Sequence, residues 1–133
     1  MDRWPAYPGE PCTMPGDAVR TLTPWGWQSI LATGPLWQVK MLRINPGHRT
    51  SLQKHNNRSE WWYVLDGDAV FTVGEKVFPS GDTSWVHVYS HHPHRISGLS
   101  PYGATILELQ LTSIPGGISE RDIVRLQDDY QRD

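Results

Sequence analysis

Gln53, His55 and Glu60 bring an amide, an imidazole and a carboxylate into one short stretch, PGHRTSLQKHNNRSEWWYVLDG, residues 46 to 67. In an extended strand successive side chains alternate faces, so Gln53 and His55 point one way and Leu52 and Lys54 the other. Glu60 opens a second candidate strand and shares its face with Trp62 and Val64. If these two strands are neighbours, the three polar side chains converge at one end of an interior. Such a mixed oxygen and nitrogen set suits one divalent metal ion, whether zinc, manganese, iron, cobalt or nickel. A fourth ligand is expected from a later strand. VHVYSHHPHRISG offers His87, His91, His92 and His94, and His94 can point inward with Ile96 while Arg95 alternates away.

The elements that must carry these residues are short β segments separated by turn residues, the pattern of a sandwich or barrel. Candidate strands are Trp27–Ala32, Leu36–Ile44, Ser51–His55, Trp61–Leu65, Ala69–Val73, Lys76–Phe78, Thr83–Tyr89, His94–Leu99 and Ala104–Thr112. Asp66-Gly67, between two apolar runs, is suited to the positive φ angles of a tight hairpin. Asn45-Pro46-Gly47 and Pro79-Ser80-Gly81 mark further turns. The first two dozen residues hold Pro5, Pro8, Pro11, Pro15 and Pro24, which fix φ and remove donors. This stretch therefore reads as an irregular arm rather than a strand or helix, with residues 1 to 20 set apart from the barrel. Residues 21 to 133 form the barrel with its tail. In that tail Ser119 could cap a short helix, anchored through Ile123, Val124 and Leu126.

Composition narrows the function classes. The 133 residues fit one domain able to bury a core. A net charge of −2 offers no electrostatic grip on nucleic acid or anionic membrane. The single cysteine, Cys12, makes no internal disulfide and no CxxC site, so a reducing, cytoplasmic location is the default. The opening MDRWPAYPGEPC holds no apolar run suited to a signal peptide or a membrane span. Tryptophan, present seven times, serves cores more often than sugar-stacking clefts.

Gly47, five residues, Gln53-Lys54-His55, four residues, Glu60, six residues and Gly67 resemble the first motif of the cupin barrels, with glutamine for the first histidine. Pro24-Trp25-Gly26-Trp27, Ser51-Leu52-Gln53, His55 through Trp62, Asp122-Ile123-Val124-Arg125 and Asp128-Asp129-Tyr130 resemble, more narrowly, the type II phosphomannose isomerases. The resemblance covers roughly residues 20 to 132. It implies an all-β, single-domain cupin, a double-stranded β-helix of jelly-roll type, that often follows a mannose-1-phosphate guanylyltransferase domain. These residues carry no glycine-rich nucleotide loop, so making GDP-mannose unaided is not expected of them.

The second cupin motif is altered here. Anchoring on Pro93-His94-Arg95-Ile96 makes His94 the fourth ligand, whereas counting from Gly81-Asp82-Thr83 makes it His92; the contiguous match favours His94. Where the family commonly reads His-His-His-Arg-Ala-Glu-His-Trp, this chain has Asn56, Asn57 and Trp61 at three of those histidines but keeps His55, Arg58, Glu60 and Trp62.

The resemblance implies interconversion of mannose 6-phosphate and fructose 6-phosphate through an enediol, with one metal ion and a sugar phosphate as partners and a homodimer as an expectation. Arg58, Lys40 and Arg95 are the candidate catalytic side chains, since guanidinium forks suit sugar phosphates or an enediolate. Arg58 shares the parity of Glu60. Arg95 falls opposite His94 unless its strand begins irregularly. Lys40 shares a face with Gln38 and Leu42, and is functional if that face is inward or a solvated edge if not. Arg125 is expected to tie the tail to the barrel. Two other readings remain: a metal cupin with other chemistry, such as an oxygenase or another sugar isomerase or epimerase, and a non-catalytic carbohydrate-binding or regulatory cupin.

Overall fold

The computed structural model describes residues 19–81 and 85–132. The arm expected over residues 1 to 20 lies almost wholly outside these residues, as does the first part of the strand expected from Thr83. Among the described residues there are strands and no helix: β1 (Thr21–Thr23), β2 (Gly26–Thr33), β3 (Trp37–Ile44), β4 (Leu52–Lys54), β5 (Ser59–Gly67), β6 (Ala69–Val73), β7 (Lys76–Pro79), β8 (Val86–Val88), β9 (His94–Gly98), β10 (Ala104–Leu111) and β11 (Val124–Gln127). They form a six-stranded sheet in the order β1-β2-β3-β10-β5-β8 and a five-stranded sheet in the order β11-β4-β9-β6-β7. Every pairing is antiparallel, and the two sheets enclose a common interior, as a jelly-roll barrel requires.

Period-two alternation builds that interior. Leu42 and Ile44 of β3, Ala104 and Ile106 of β10, Trp62 of β5, Phe71 of β6 and Ile96 of β9 pack into one apolar cluster. At the other end the same inward faces turn polar. Gln38 and Lys40 on β3 pair in register with Gln110 and Glu108 on β10, which pair in turn with Glu60 and Trp62 on β5. All of these polar side chains are buried. Trp62, 1% exposed, stands on the boundary between the two ends.

Three expectations about the chain path are corrected. Thr21–Thr23 belongs to a hairpin, pairing with β2 across Pro24-Trp25, because β-branched threonines suit a strand and proline suits the turn. Asp66-Gly67 makes no hairpin. Both edges of β5 are already taken, by β10 and β8, so the chain leaves the sheet and β6 pairs in the other one. Gly67 turns this corner with φ of +78°, and a Cβ there would lie 2.1 Å from the carbonyl oxygen of Gly103. The tight hairpin is Gly74-Glu75, between β6 and β7, with Gly74 at φ of +61° as a type II′ turn demands.

The helix expected after Ser119 is the third correction. Ser119 does start a turn, its hydroxyl and carbonyl accepting the backbone N–H groups of Arg121 and Asp122. The turn is not propagated. The open edge of β4 offers unpaired backbone groups, and β11 takes them, Arg125 aligning with Gln53. Val124 and Leu126 consequently face solvent instead of anchoring the tail. Ile123 does line the cavity, and polar contacts complete the anchoring: Arg49 forks onto Asp129, and His48 meets the Tyr130 hydroxyl.

Asp128 is pulled down to about 2 from 3.8, first by its hydrogen bond from Arg132, which with backbone donors outweighs burial. A carboxyl depressed in the folded state stabilises above its unfolded pKa, and that contribution fades as pH falls through the folded one. Amide protection, relative to the free-chain rate at each pH, is therefore expected to fall in residues 124 to 132 between about pH 4 and pH 2 before it falls in the barrel strands. Simultaneous loss throughout the chain would contradict this.

Candidate metal centre

β4, β5 and β9 deliver the cluster. His55 follows β4 directly, Glu60 lies near the start of β5, and His94 opens β9, where it faces Gln53 across the β4–β9 pairing. All three of His55, Glu60 and His94 are at most 3% exposed, and their ligand atoms lie within 4.8 Å of one another. His55 Nε2 is 3.2 Å from Glu60 Oε2, and His94 Nε2 is 3.6 Å from Glu60 Oε1.

Each imidazole is oriented by its far nitrogen. His55 Nδ1 lies 2.6 Å from the backbone carbonyl of Asp122, and His94 Nδ1 lies 2.9 Å from that of His92. A carbonyl only accepts, so each ring carries a proton on Nδ1, which leaves Nε2 as the atom aimed at Glu60. His94 Nε2 is buried and has no hydrogen-bond partner. An orphaned buried imidazole nitrogen next to a carboxylate and a second imidazole nitrogen fits a divalent cation. Gln53 is half-buried at the same place, its Oε1 accepting from Ser51 Oγ and its Nε2 3.4 Å from His55 Nε2. Rotation of the amide exchanges those two atoms and turns an oxygen toward the cluster.

Arg58 supplies the local positive charge. Its Nε donates to Glu60 Oε2 at 2.9 Å, and one of its terminal nitrogens lies 3.1 Å from His55 Nε2. Burial depresses the guanidinium, but the charge of Glu60 and its hydrogen bond outweigh it and leave Arg58 ionised. Glu60 also accepts from the indole N–H of Trp62 at 3.0 Å.

Glu108, a residue the sequence reading did not single out, makes the acidic centre a pair. Burial, and then the charge on Glu60, push the Glu108 carboxyl well above its usual range. Burial would raise Glu60 too, yet the hydrogen bond from Glu108, with the charge on Arg58 adding to it, holds it well below. The two carboxyls thus share one proton, and it sits on Glu108. For His94, burial wins over the attraction of Glu60 and keeps the imidazole neutral, the form that binds a metal.

The surrounding cavity is lined also by Trp25, Gln28, Lys40, Thr50, Glu120 and Arg125. Lys40 is buried at 3% exposure, so its face is the inward one; its amine bonds Gln28 Oε1 and the carboxylate of Glu120. Arg125 faces the cavity from β11. Two expected residues are elsewhere. Arg95 alternates away from His94 and donates to the carbonyls of Thr50 and Gln127, stapling the tail rather than lining the site. His92 is exposed beside Tyr89, while His94 occupies the cluster. Asn56 and Asn57 are exposed, and Trp61 stacks on His87 outside the barrel at 4.2 Å, so the three departures from the histidine-rich motif do not line the cavity.

Comparison with known proteins agrees with this geometry. Among solved structures, Bacillus subtilis oxalate decarboxylase superposes with a TM-score of 0.71 at 22% identity, covering 83% of this chain and 30% of that one. The capsular polysaccharide assembling protein CapF of Staphylococcus aureus gives 0.68 at 17% identity, over 83% of this chain and 34% of its own. Both likenesses concern the fold, which is that of a cupin. Among curated proteins, the alginate biosynthesis protein AlgA of Pseudomonas aeruginosa is 35% identical over 109 residues, 82% of this chain and 22% of AlgA. The xanthan biosynthesis protein XanB of Xanthomonas campestris is 34% identical over the same share of this chain and 23% of its own. A mannose-1-phosphate guanylyltransferase of Salmonella muenchen is 28% identical over 104 residues, 78% of this chain and 21% of its own. The chain therefore spans less than a quarter of the length of these relatives. The family described as mannose-6-phosphate isomerase C-terminal matches residues 17–128, and with the cupin barrel and its buried histidine and carboxylate cluster in place, the chain belongs to that family.

Proposed function

We propose that this chain is a metal-dependent aldose–ketose isomerase that interconverts mannose 6-phosphate and fructose 6-phosphate. The observation that carries the reading is the convergence of His55, Glu60 and His94 around a buried, partnerless imidazole nitrogen, in a chain of this family. Gln53, His55, Glu60 and His94 would hold one divalent ion, which, when bound, polarises substrate oxygens and stabilises charge developing on them.

The residues of the chain supply the rest. Moving a proton between C1 and C2 requires groups able to carry one beside the reacting carbons. Lys40 and Glu108, partners in register on β3 and β10, line the cavity as such groups. Arg58 brings a fixed positive charge for an enediolate. The buried walls exclude water from the intermediate.

The test is metal content followed by a coupled assay, with mannose 6-phosphate as substrate and fructose 6-phosphate read through a dehydrogenase. Absence of turnover in metal-loaded protein, where a known isomerase works, sinks the proposal. Lys40→Met is expected to lower kcat/KM by about 100-fold or more, the range of a lost proton carrier, with metal affinity within about threefold of the parent. Unchanged kcat/KM would remove Lys40 from the mechanism.

A further inference from the structure

The turn Ser119–Asp122 lies outside the barrel strands, yet it touches the candidate centre in two places. Glu120 bonds Lys40 on β3, and Asp122 grips the chain next to His55. The Asp122 contacts are the more informative, because one residue holds the ligand loop by both its side chain and its backbone. Its two carboxylate oxygens accept the backbone N–H groups of Asn56 and Asn57, each at 2.8 Å. Its carbonyl oxygen lies 2.6 Å from His55 Nδ1. Asn56 and Asn57 are the two residues after His55, so the grip spans the imidazole and the backbone that carries it.

A carboxylate taking two backbone donors makes charge-assisted bonds, stronger than the neutral bonds common at a turn. These bonds fix where the Asp122 carbonyl stands. The carbonyl then fixes the tautomer of His55: with the proton held on Nδ1, Nε2 is left as the lone pair that faces Glu60 and His94. Without it, a neutral imidazole would be free to carry its proton on Nε2 and present a donor where a ligand atom is needed. The rest of the tail is tied to the barrel by Arg49–Asp129, a pair that does not line the cavity. Asp122 is therefore separable from tail anchoring in general.

We infer that Asp122 is a positioning residue for the metal centre, setting the tautomer and orientation of His55 from outside the barrel. The inference rests on the metal-binding half of the proposed function and not on the identity of the sugar. Its test uses the whole chain with zinc alone, titrated against a chromophoric chelator, together with nitrogen-detected NMR of the His55 ring in the metal-free protein. The parent should show His55 protonated on Nδ1. Asp122→Ala should weaken zinc binding by about 10- to 100-fold, the range for removing a group that orients a ligand, and shift the ring toward the Nε2–H form. Asp122→Asn, which keeps one acceptor, should fall between the two. Asp129→Asn, which loosens the tail elsewhere, should leave both readouts at the parent values.

Thermal unfolding checks that each variant is folded; where Asp122→Ala is not, Asp122→Asn carries the decision. A folded variant with zinc affinity within about threefold of the parent and His55 still protonated on Nδ1 overturns the inference. Loss of affinity as large in Asp129→Asn overturns it as well. Neither readout depends on turnover, so an inactive but zinc-binding chain would refute the isomerase and leave the role of Asp122 standing.

Discussion

Glu60→Gln is expected to weaken zinc binding by about 100-fold or more, a larger loss than removal of an outer orienting group, while the metal-free barrel stays folded. The second half of that expectation comes from Glu108. Removing one partner of a buried ion pair ordinarily costs about 3–5 kcal/mol, because the other charge is left uncompensated. Here the stranded charge would be Arg58. Glu108, however, is held protonated in part by the charge on Glu60. With that charge gone, Glu108 ionises at lower pH and takes over as counter-ion to Arg58. Glu108→Gln alone should also be tolerated, since Glu60 is already ionised. Only the double substitution leaves Arg58 without a buried anion, and its cost should exceed the sum of the single costs by roughly 1–3 kcal/mol in urea unfolding. Strict additivity would refute the shared-proton pair. Zinc affinity unchanged in Glu60→Gln would refute the metal centre as drawn.

Trp62→Ala should cost about 3–5 kcal/mol, the range for deleting a large buried aromatic side chain. Set against a typical domain stability of about 5–15 kcal/mol, this takes the chain close to unfolding. Trp62 packs on Phe71 with ring centroids 5.2 Å apart and sets its edge against His94 at 5.5 Å, so its loss hollows the apolar cluster and frees a ligand ring together. Trp62→Phe separates these roles, keeping most of the volume while removing the N–H that Glu60 accepts. That variant should lose about 1–3 kcal/mol, the cost of an unmet buried acceptor. A Trp62→Ala chain within about 1 kcal/mol of the parent would show that the boundary between the two interior ends is not where the stability lies.

The parts of the site legible in the sequence are those fixed by alternation within one strand. Glu60 and Trp62 share a face in the sequence and in the barrel, and Arg58, of the same parity, joins them. Lys40 could be placed with Gln38 and Leu42 but not assigned to a side, because both faces of WQVKMLRI carry apolar residues and Met41 is as buried as Leu42. Glu108 was within reach of the same reasoning: in ATILELQL it shares the face of Ile106, and an acid on an inward face is a signal.

What could not be read locally depends on distant partners. VRLQ becomes a strand because β4 has an open edge, and Ser119 looks like a helix cap until that edge competes for the chain. Asp66-Gly67 has hairpin chemistry, but the neighbours of β5 arrive from β8 and β10. Asp122 acts on His55 across 67 positions of sequence, a relation that no spacing rule contains.

The docking of β11 has a consequence for assembly order. Every described strand but β11 precedes residue 119 in the chain, while the carbonyl that orients His55 belongs to Asp122. On a ribosome the enclosing strands emerge before that carbonyl does, and domains fold largely in the order they are made. If His55 serves as a metal ligand, it is oriented for that role only after the tail has crossed β4. A nascent chain still lacking that segment presents strands β1 to β10 with a histidine not yet committed to being a ligand.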